Sequence, residues 1–215
     1  MRQNPIVKME QIVKRFPGVL AADHVDFEVQ KGEVHSLLGE NGAGKTTLMN
    51  ILYGIHTPDS GKIYINGKSV SIRSPKDAIG LRIGMVHQNF KLVESHTVCE
   101  NILLGLRNLP VVLKLKNAEK AIEELSKRYD LPVDPRAKIW QLSMGERQRV
   151  EILKILYRGA DILILDEPTS VLTPLESKNL FGFLRKMTVE GKCVVFITHK
   201  LEEVMGVSDR VTVLR

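Results

Sequence analysis

Gly39-Glu40-Asn41-Gly42-Ala43-Gly44-Lys45-Thr46 constrains this chain more than any other stretch. It fits the spacing G-x-x-x-x-G-K-[ST] and follows the strand-like run Val34-His35-Ser36-Leu37-Leu38. A helical pattern opens directly after it, with Leu48, Ile51 and Leu52 on one face and Gly54 as the stop. Glycines let the backbone curl so that successive N–H groups point at phosphate oxygens, and the helix N-terminus adds partial positive charge. Lys45 is placed to reach the β- and γ-phosphates, and the Thr46 hydroxyl to sit on Mg²⁺. Residues 39–46, with Thr47 beside them, are the expected nucleotide-binding set. A glycine-rich turn can fit the string by chance. A strand before and a helix after favour phosphate binding.

Ile162-Leu163-Ile164-Leu165-Asp166-Glu167 is a short apolar run ending in two acids. It reads as a strand buried on both faces of a parallel sheet, and the carboxyl end of such a strand is where open α/β sheets hold ligands. Asp166 is placed to hold Mg²⁺, and Glu167 to polarise a water for attack on a γ-phosphate. Alone, the run could simply enter a solvated turn. Beside the phosphate loop, the hydrolytic reading prevails.

Leu142-Ser143-Met144-Gly145-Glu146-Arg147-Gln148-Arg149 adds a third signal. With the phosphate loop before it and the two acids after it, this string resembles the signature of ABC-type ATPases. The usual form is Leu-Ser-Gly-Gly-Gln, and the departures at Met144 and Glu146 are similar to those of bacterial simple-sugar and nucleoside importer ATPases. The resemblance implies that Ser143 and the Gly145 amide meet the γ-phosphate of ATP held by a second ATPase domain, in a head-to-tail dimer. Locally, Ser143-x-x-Glu146 before Val150, Leu153 and Tyr157 is also a capping box. The two roles can coexist. A free carboxylate near a γ-phosphate would repel it, so Glu146 is expected to fold back on its own helix start.

Three single residues match the rest of that pattern. Gln88, after the strand-like Gly84-Met85-Val86-His87, matches the glutamine that the family uses to ligate Mg²⁺ and sense the γ-phosphate. His199 ends Val194-Val195-Phe196-Ile197-Thr198 and matches the switch histidine, so Lys45, Glu167 and His199 form the expected catalytic group. Phe16 stands where the family keeps an aromatic to stack on adenine. Metal ligation falls to Thr46, Gln88 and Asp166. The remaining histidines lack metal-ligand spacing and read as structural. Pro168-Thr169-Ser170-Val171-Leu172-Thr173 matches the loop that crosses the dimer, with Thr173 where many relatives carry Asp.

Composition bounds the alternatives. The 215 residues, 43% of them hydrophobic, can bury one sizeable core. Two distant cysteines, Cys99 and Cys193, suit a reducing compartment. There is no secretory pattern and no run long enough to span a membrane. The net charge of +6 comes from Lys and Arg scattered among acids, without a nucleic-acid-reading module, so no nucleic-acid partner is expected. A mildly basic solvated surface accounts for the sign most simply, and attraction to ATP and an anionic membrane surface would do so as well.

The organisation predicts one catalytic core, residues 1–88 and 161–215, interrupted by a helical subdomain at 89–160. Ala118, Ala121, Ile122, Leu125 and Tyr129 fall at helical spacing, and Pro132 and Pro135 end the pattern. The resemblance implies an α/β P-loop NTPase core with a mixed, mainly parallel sheet, an antiparallel β subdomain and the helical insert. It also implies ATP and Mg²⁺ as ligands, and membrane-spanning permease subunits docking near Asn89–His96, Phe90, Leu92 and Val93 included. A solute-binding protein would be an indirect partner, and the location the cytoplasmic face of the membrane. The chain is expected to be the first of two tandem ATPase domains. A soluble ABC protein acting on ribosomes is the alternative.

Overall fold

The structure, a computed structural model, describes residues 5–106 and 115–215. Two long antiparallel strands, β1 (Val7–Phe16) and β2 (Val19–Val29), turn at Pro17-Gly18. Strand β3 (Val34–Leu38) then runs through the Gly39–Gly44 loop into α1 (Lys45–Leu52). A hairpin of β4 (Ser60–Ile65) and β5 (Lys68–Val70) comes next. It is turned by Asn66-Gly67 with φ of 51° and 74°, both positive as a type I′ turn requires. Helix α2 (Pro75–Gly80) and strand β6 (Ile83–Val86) lead into three helices, α3 (Val98–Leu103), α4 (Leu115–Tyr129) and α5 (Met144–Tyr157). Strand–helix alternation then resumes with β7 (Ile162–Asp166), α6 (Pro174–Val189), β8 (Cys193–Thr198), α7 (Leu201–Val207) and β9 (Arg210–Val213).

The strands sort into two sheets by polarity pattern. β2-β1-β4-β5 is antiparallel, and β6-β7-β8-β3-β9 is parallel throughout. The mixture expected of the fold is therefore segregated: antiparallel pairing is confined to the first sheet. Parallel sheets need cover on both faces, and alternation along the strands supplies it. Leu163, Leu165, Val194 and Phe196 join one apolar cluster with α3, α4, α5 and α6. Ile162, Ile164, Val195 and Ile197 join the other, with α1 and the antiparallel sheet. Each such buried side chain contributes about 1.5–3 kcal/mol.

Because all five strands of the second sheet run the same way, their carboxyl ends share one edge. The residues after β3, β6, β7 and β8 are Gly39, His87-Gln88, Glu167 and His199. Parallel topology thus gathers what the sequence scatters.

Between β6 and β7, α3 and α5 begin with side-chain caps. Thr97 with Glu100 and Ser143 with Glu146 form capping boxes, as do Thr173 with Glu176 at α6. Such a cap stabilises by about 1 kcal/mol. Ala118, Ile122 and Tyr129 of α4 are buried as the spacing predicts, with Leu125 packed against the same cluster. The segment 89–96 is exposed at Asn89, Lys91, Val93, Glu94 and Ser95, while part of its apolar side is covered. Phe90 and Leu92 pack onto the helical cluster, and Val93 alone of the three named apolar residues is exposed. Apolar side chains flanking buried helices gain more by turning inward than by facing water.

Candidate functional site

The loop after β3 owes its shape to glycine. Gly42 and Gly44 take φ of 89° and 86°, a region that side chains disfavour. At Gly44 a Cβ would also come within 2.2 Å of the Ala21 carbonyl oxygen. Lys45, 5% exposed, folds over the loop and donates from Nζ to the carbonyls of Gly39 (2.7 Å) and Glu40 (2.8 Å). Unlike α3, α5 and α6, α1 has no side-chain cap. Its first N–H groups and the adjoining ammonium form a cradle for an anion.

The two acids lie across from this cradle. Asp166, 5% exposed at the end of β7, accepts a hydrogen bond from Thr46 Oγ1 at 3.3 Å. Burial pushes its carboxyl above the ordinary value; the Thr46 hydrogen bond opposes the shift and the Glu167 charge adds to it. Among the described residues no group of three His, Cys, Asp or Glu side chains could hold a metal. Mg²⁺ bound here would therefore rely on Asp166, neutral oxygens and phosphate. Hydroxyl, carboxylate and amide oxygens are the hard donors it prefers.

Glu167 has a φ of 46°, a conformation that costs of order 1–3 kcal/mol for a residue with a side chain. Its N–H is held by the Ile197 carbonyl at 3.1 Å, and its carboxylate accepts from His199 Nδ1 at 3.0 Å. The neighbouring strand holds this strained backbone in place, and Glu167 lines the same cavity as the loop.

A cavity of about 480 Å³ joins these parts. Phe16, Asn41, Gly42, Gly44, Lys45, Thr46, Thr47, Gln88 and Glu167 all line it. Asp166 and His199 reach it through Thr46 and Glu167. Gly39, Glu40 and Ala43 border the opposite side of the loop, next to Val213 and Leu214. Two lining residues, Val19 and Ala21, were not legible in the sequence. They sit at the start of β2, where strand patterning marks neither as functional. Phe16 meets His56 edge-on at 5.2 Å between ring centroids, with Lys14 Nζ 5.5 Å over its ring.

Ser143 and Gly145 do not line this cavity. Ser143 Oγ and Glu146 close the capping box: Glu146 Oε2 accepts from Ser143 N (2.9 Å) and Oγ (2.8 Å). Glu146 does fold back on its helix start, and these two bonds hold its carboxyl below the ordinary value. Gly145 is buried, and a Cβ there would lie 2.2 Å from Glu176 Oε1. Gln148 Nε2 donates to the Pro168 carbonyl at 2.8 Å, tying α5 to the loop after the two acids.

Glu203 is a further residue that sequence reasoning missed. Its carboxylate accepts from Thr169 Oγ1 (2.6 Å), Thr198 Oγ1 (2.7 Å) and Lys200 Nζ (3.1 Å). Burial works to raise this carboxyl, but the three donors outweigh it and hold it below the ordinary value. It links the loop after Glu167 to the strand end that carries His199. The other histidines have other surroundings: His35 is buried between Glu33 and Thr212, and His87 meets Tyr53 edge-on.

The pattern of the ABC transporter family matches residues 22–170. The chain belongs to that family. Two curated relatives extend the match over the whole chain. The nucleoside import ATP-binding protein NupA of Lactococcus lactis is 52% identical, covering 100% of this chain and 43% of its own length. A glucose import ATP-binding protein of Haloferax volcanii is 49% identical, covering 100% of this chain and 44% of its own length. This chain thus spans less than half the length of these ABC relatives. Among solved structures, an ATP-binding cassette of an ABC transporter in its ADP conformation superposes with a TM-score of 0.87. It is 26% identical, with 99% of this chain and 88% of that one covered. A dimeric bacterial ABC transporter cassette has a TM-score of 0.83 at 27% identity, covering 97% and 94%. The two sheets and their helical layer are thus an ABC cassette fold. No helix among the described residues is long and apolar enough to cross a membrane.

Proposed function

We propose that this ABC domain binds and hydrolyses ATP to power import of a simple sugar or nucleoside. The observation that carries the reading is the Glu167–His199 pair, 3.0 Å apart, with Glu167 lining one cavity with the Lys45 loop. The phosphates would lie on the loop's N–H groups and the start of α1, with Lys45 leaving its two carbonyls to meet them. Phe16 and Val19 offer an apolar seat for adenine. Thr46, Asp166 and Gln88 would hold Mg²⁺, whose charge offsets that of the phosphates. Glu167 acts as the base that polarises the attacking water, and His199 orients it and the γ-phosphate.

Ser143 and Gly145 lie outside the cavity of their own chain, which supports a role toward the nucleotide of a second ATPase domain. The greater length of both relatives supports a tandem chain, and a dimeric cassette of similar fold supports the head-to-tail pairing. In this reading, residues 1–88 and 161–215 form the catalytic core and 89–160 the helical subdomain. Permease subunits in the membrane and, through them, a solute-binding protein are the partners; nucleic acid is not. The protein would sit peripherally on the cytoplasmic face. The import names of both relatives favour transport over action on ribosomes.

The test is a pull-down of the full-length protein from its own cells with partners identified by mass. Recovery of a multi-spanning membrane protein is expected. Recovery of ribosomes without one would overturn the transport reading.

A further inference from the structure

Glu151 lies two turns into α5 with only 6% of its surface exposed. An unpaired buried carboxylate is costly, and an apolar residue would pack there at no such penalty. Its one hydrogen bond among the described residues is accepted from the Lys91 backbone N–H at 2.7 Å. One turn on, Lys154 donates from Nζ to the Lys91 carbonyl at 3.2 Å, and the two side chains lie 4.0 Å apart. An acid and a base of one helix therefore grip both polar groups of a single residue. Asn101 of α3 treats Val93 the same way, accepting from its N–H at 2.8 Å and donating to its carbonyl at 3.0 Å. Phe90 and Leu92 add apolar anchorage to the same helices. Gln88 and Asn89, just upstream, are exposed.

We infer that Glu151, together with Lys154, is a positioning residue that fastens the segment after Gln88 to α5. Residues 90–93 then move with the helices, and bending is confined to Gln88 and Asn89. A displacement of Gln88 is delivered to α5 near Glu151, about 12 Å along the axis from Ser143. A stiff helix carries it to Ser143 and Gly145 at the other end. This rests on the reading that Gln88 meets the nucleotide and its metal.

The test uses the full-length chain, with amide hydrogen exchange monitored with and without Mg·ATP. In the unmodified protein, exchange is expected to slow at residues 39–46 and at 143–146. Glu151→Leu should keep the first protection and lose the second, with kcat falling about ten-fold and KM for ATP changing less than about three-fold. Glu151→Gln, which retains an acceptor for the Lys91 N–H, should restore the protection at 143–146. Protection at 143–146 in Glu151→Leu equal to that of the unmodified protein would overturn the inference. So would equal loss in both variants with equal lowering of Tm, the mark of a merely structural role. Absence of protection at 39–46 in the unmodified protein would instead overturn the nucleotide reading beneath it.

Discussion

His199 Nδ1 lies 3.0 Å from Glu167 Oε1, joining the residues that follow two adjacent parallel strands. In the proposed function, this contact makes the water-polarising carboxylate and its orienting partner one unit. Glu167→Gln is expected to lower turnover by about two to four orders of magnitude while Mg·ATP still binds. His199→Ala should act in the same direction. Combining them should be far less than additive, because either change disables the same unit. Steady-state hydrolysis and equilibrium ATP binding check this; near-normal turnover by Glu167→Gln removes that residue from the role.

The Ser143–Glu146 box predicts a pH effect with a definite sign. Folding lowers the Glu146 carboxyl below its ordinary 4.5, as it does for Glu100 and Glu176 in the other two boxes. The stability each contributes is complete above the unfolded value and is lost as pH falls through the folded one. Thermal midpoints measured from neutral pH to about pH 3 should fall accordingly. Glu146→Gln should flatten part of that fall and keep or raise ATP affinity; a large loss of activity would count against the folded-back carboxylate.

Gly84 is a packing position. A Cβ there would lie 2.0 Å from Ile155 Cγ2, where β6 meets α5. Gly84→Ala should destabilise by about 1–3 kcal/mol. Ile155→Ala removes the clashing methyl, so the double variant should lose clearly less than the sum of the two single losses. Denaturant unfolding of all three variants measures this, and simple additivity would show that the clash is not the cause.

Glu203→Ala should lower kcat more than it raises KM for ATP, since Thr169 and Thr198 lose a shared acceptor while the phosphate loop is untouched. A stability loss of about 1–3 kcal/mol should accompany it. Glu203→Gln keeps an acceptor and should recover part of both. Steady-state kinetics with an unchanged kcat would leave Glu203 as a fold contact only.

The two cysteines should be silent in the native state. Burial pushes the Cys99 thiol up to about 11 and the Cys193 thiol up to about 12. A colourless-to-yellow disulfide reagent at mildly alkaline pH should label neither until denaturant is added. Prompt labelling of the folded chain would contradict the burial of both.

Residues whose role depends on local spacing were legible in the sequence. The phosphate loop, the strand Ile162–Asp166, the Ser143 cap and the Asn66-Gly67 turn each rest on neighbours within a few positions. The convergence of Gln88, Glu167 and His199 was legible only through family resemblance, because it depends on which strands lie side by side. Val19, Ala21 and Glu203 escaped notice because their contacts come from distant chain. Glu203 in particular looks like an ordinary surface acid until Thr169, 34 residues away, is placed against it. The inward turn of Phe90 and Leu92 escaped for the same reason: only the packed helices reveal which side of that segment is covered.

Gly44 has one more consequence. Its missing side chain lets the phosphate loop touch the Ala21 carbonyl, on the strand that begins with Val19. In the proposed function, the platform for the base and the cradle for the phosphates belong to different sheets, and this contact would set the gap between them. Such a site would work as a caliper with one fixed opening. A single added methyl group would widen the jaws, and a nucleotide could then be gripped at its base or at its phosphates, but not at both.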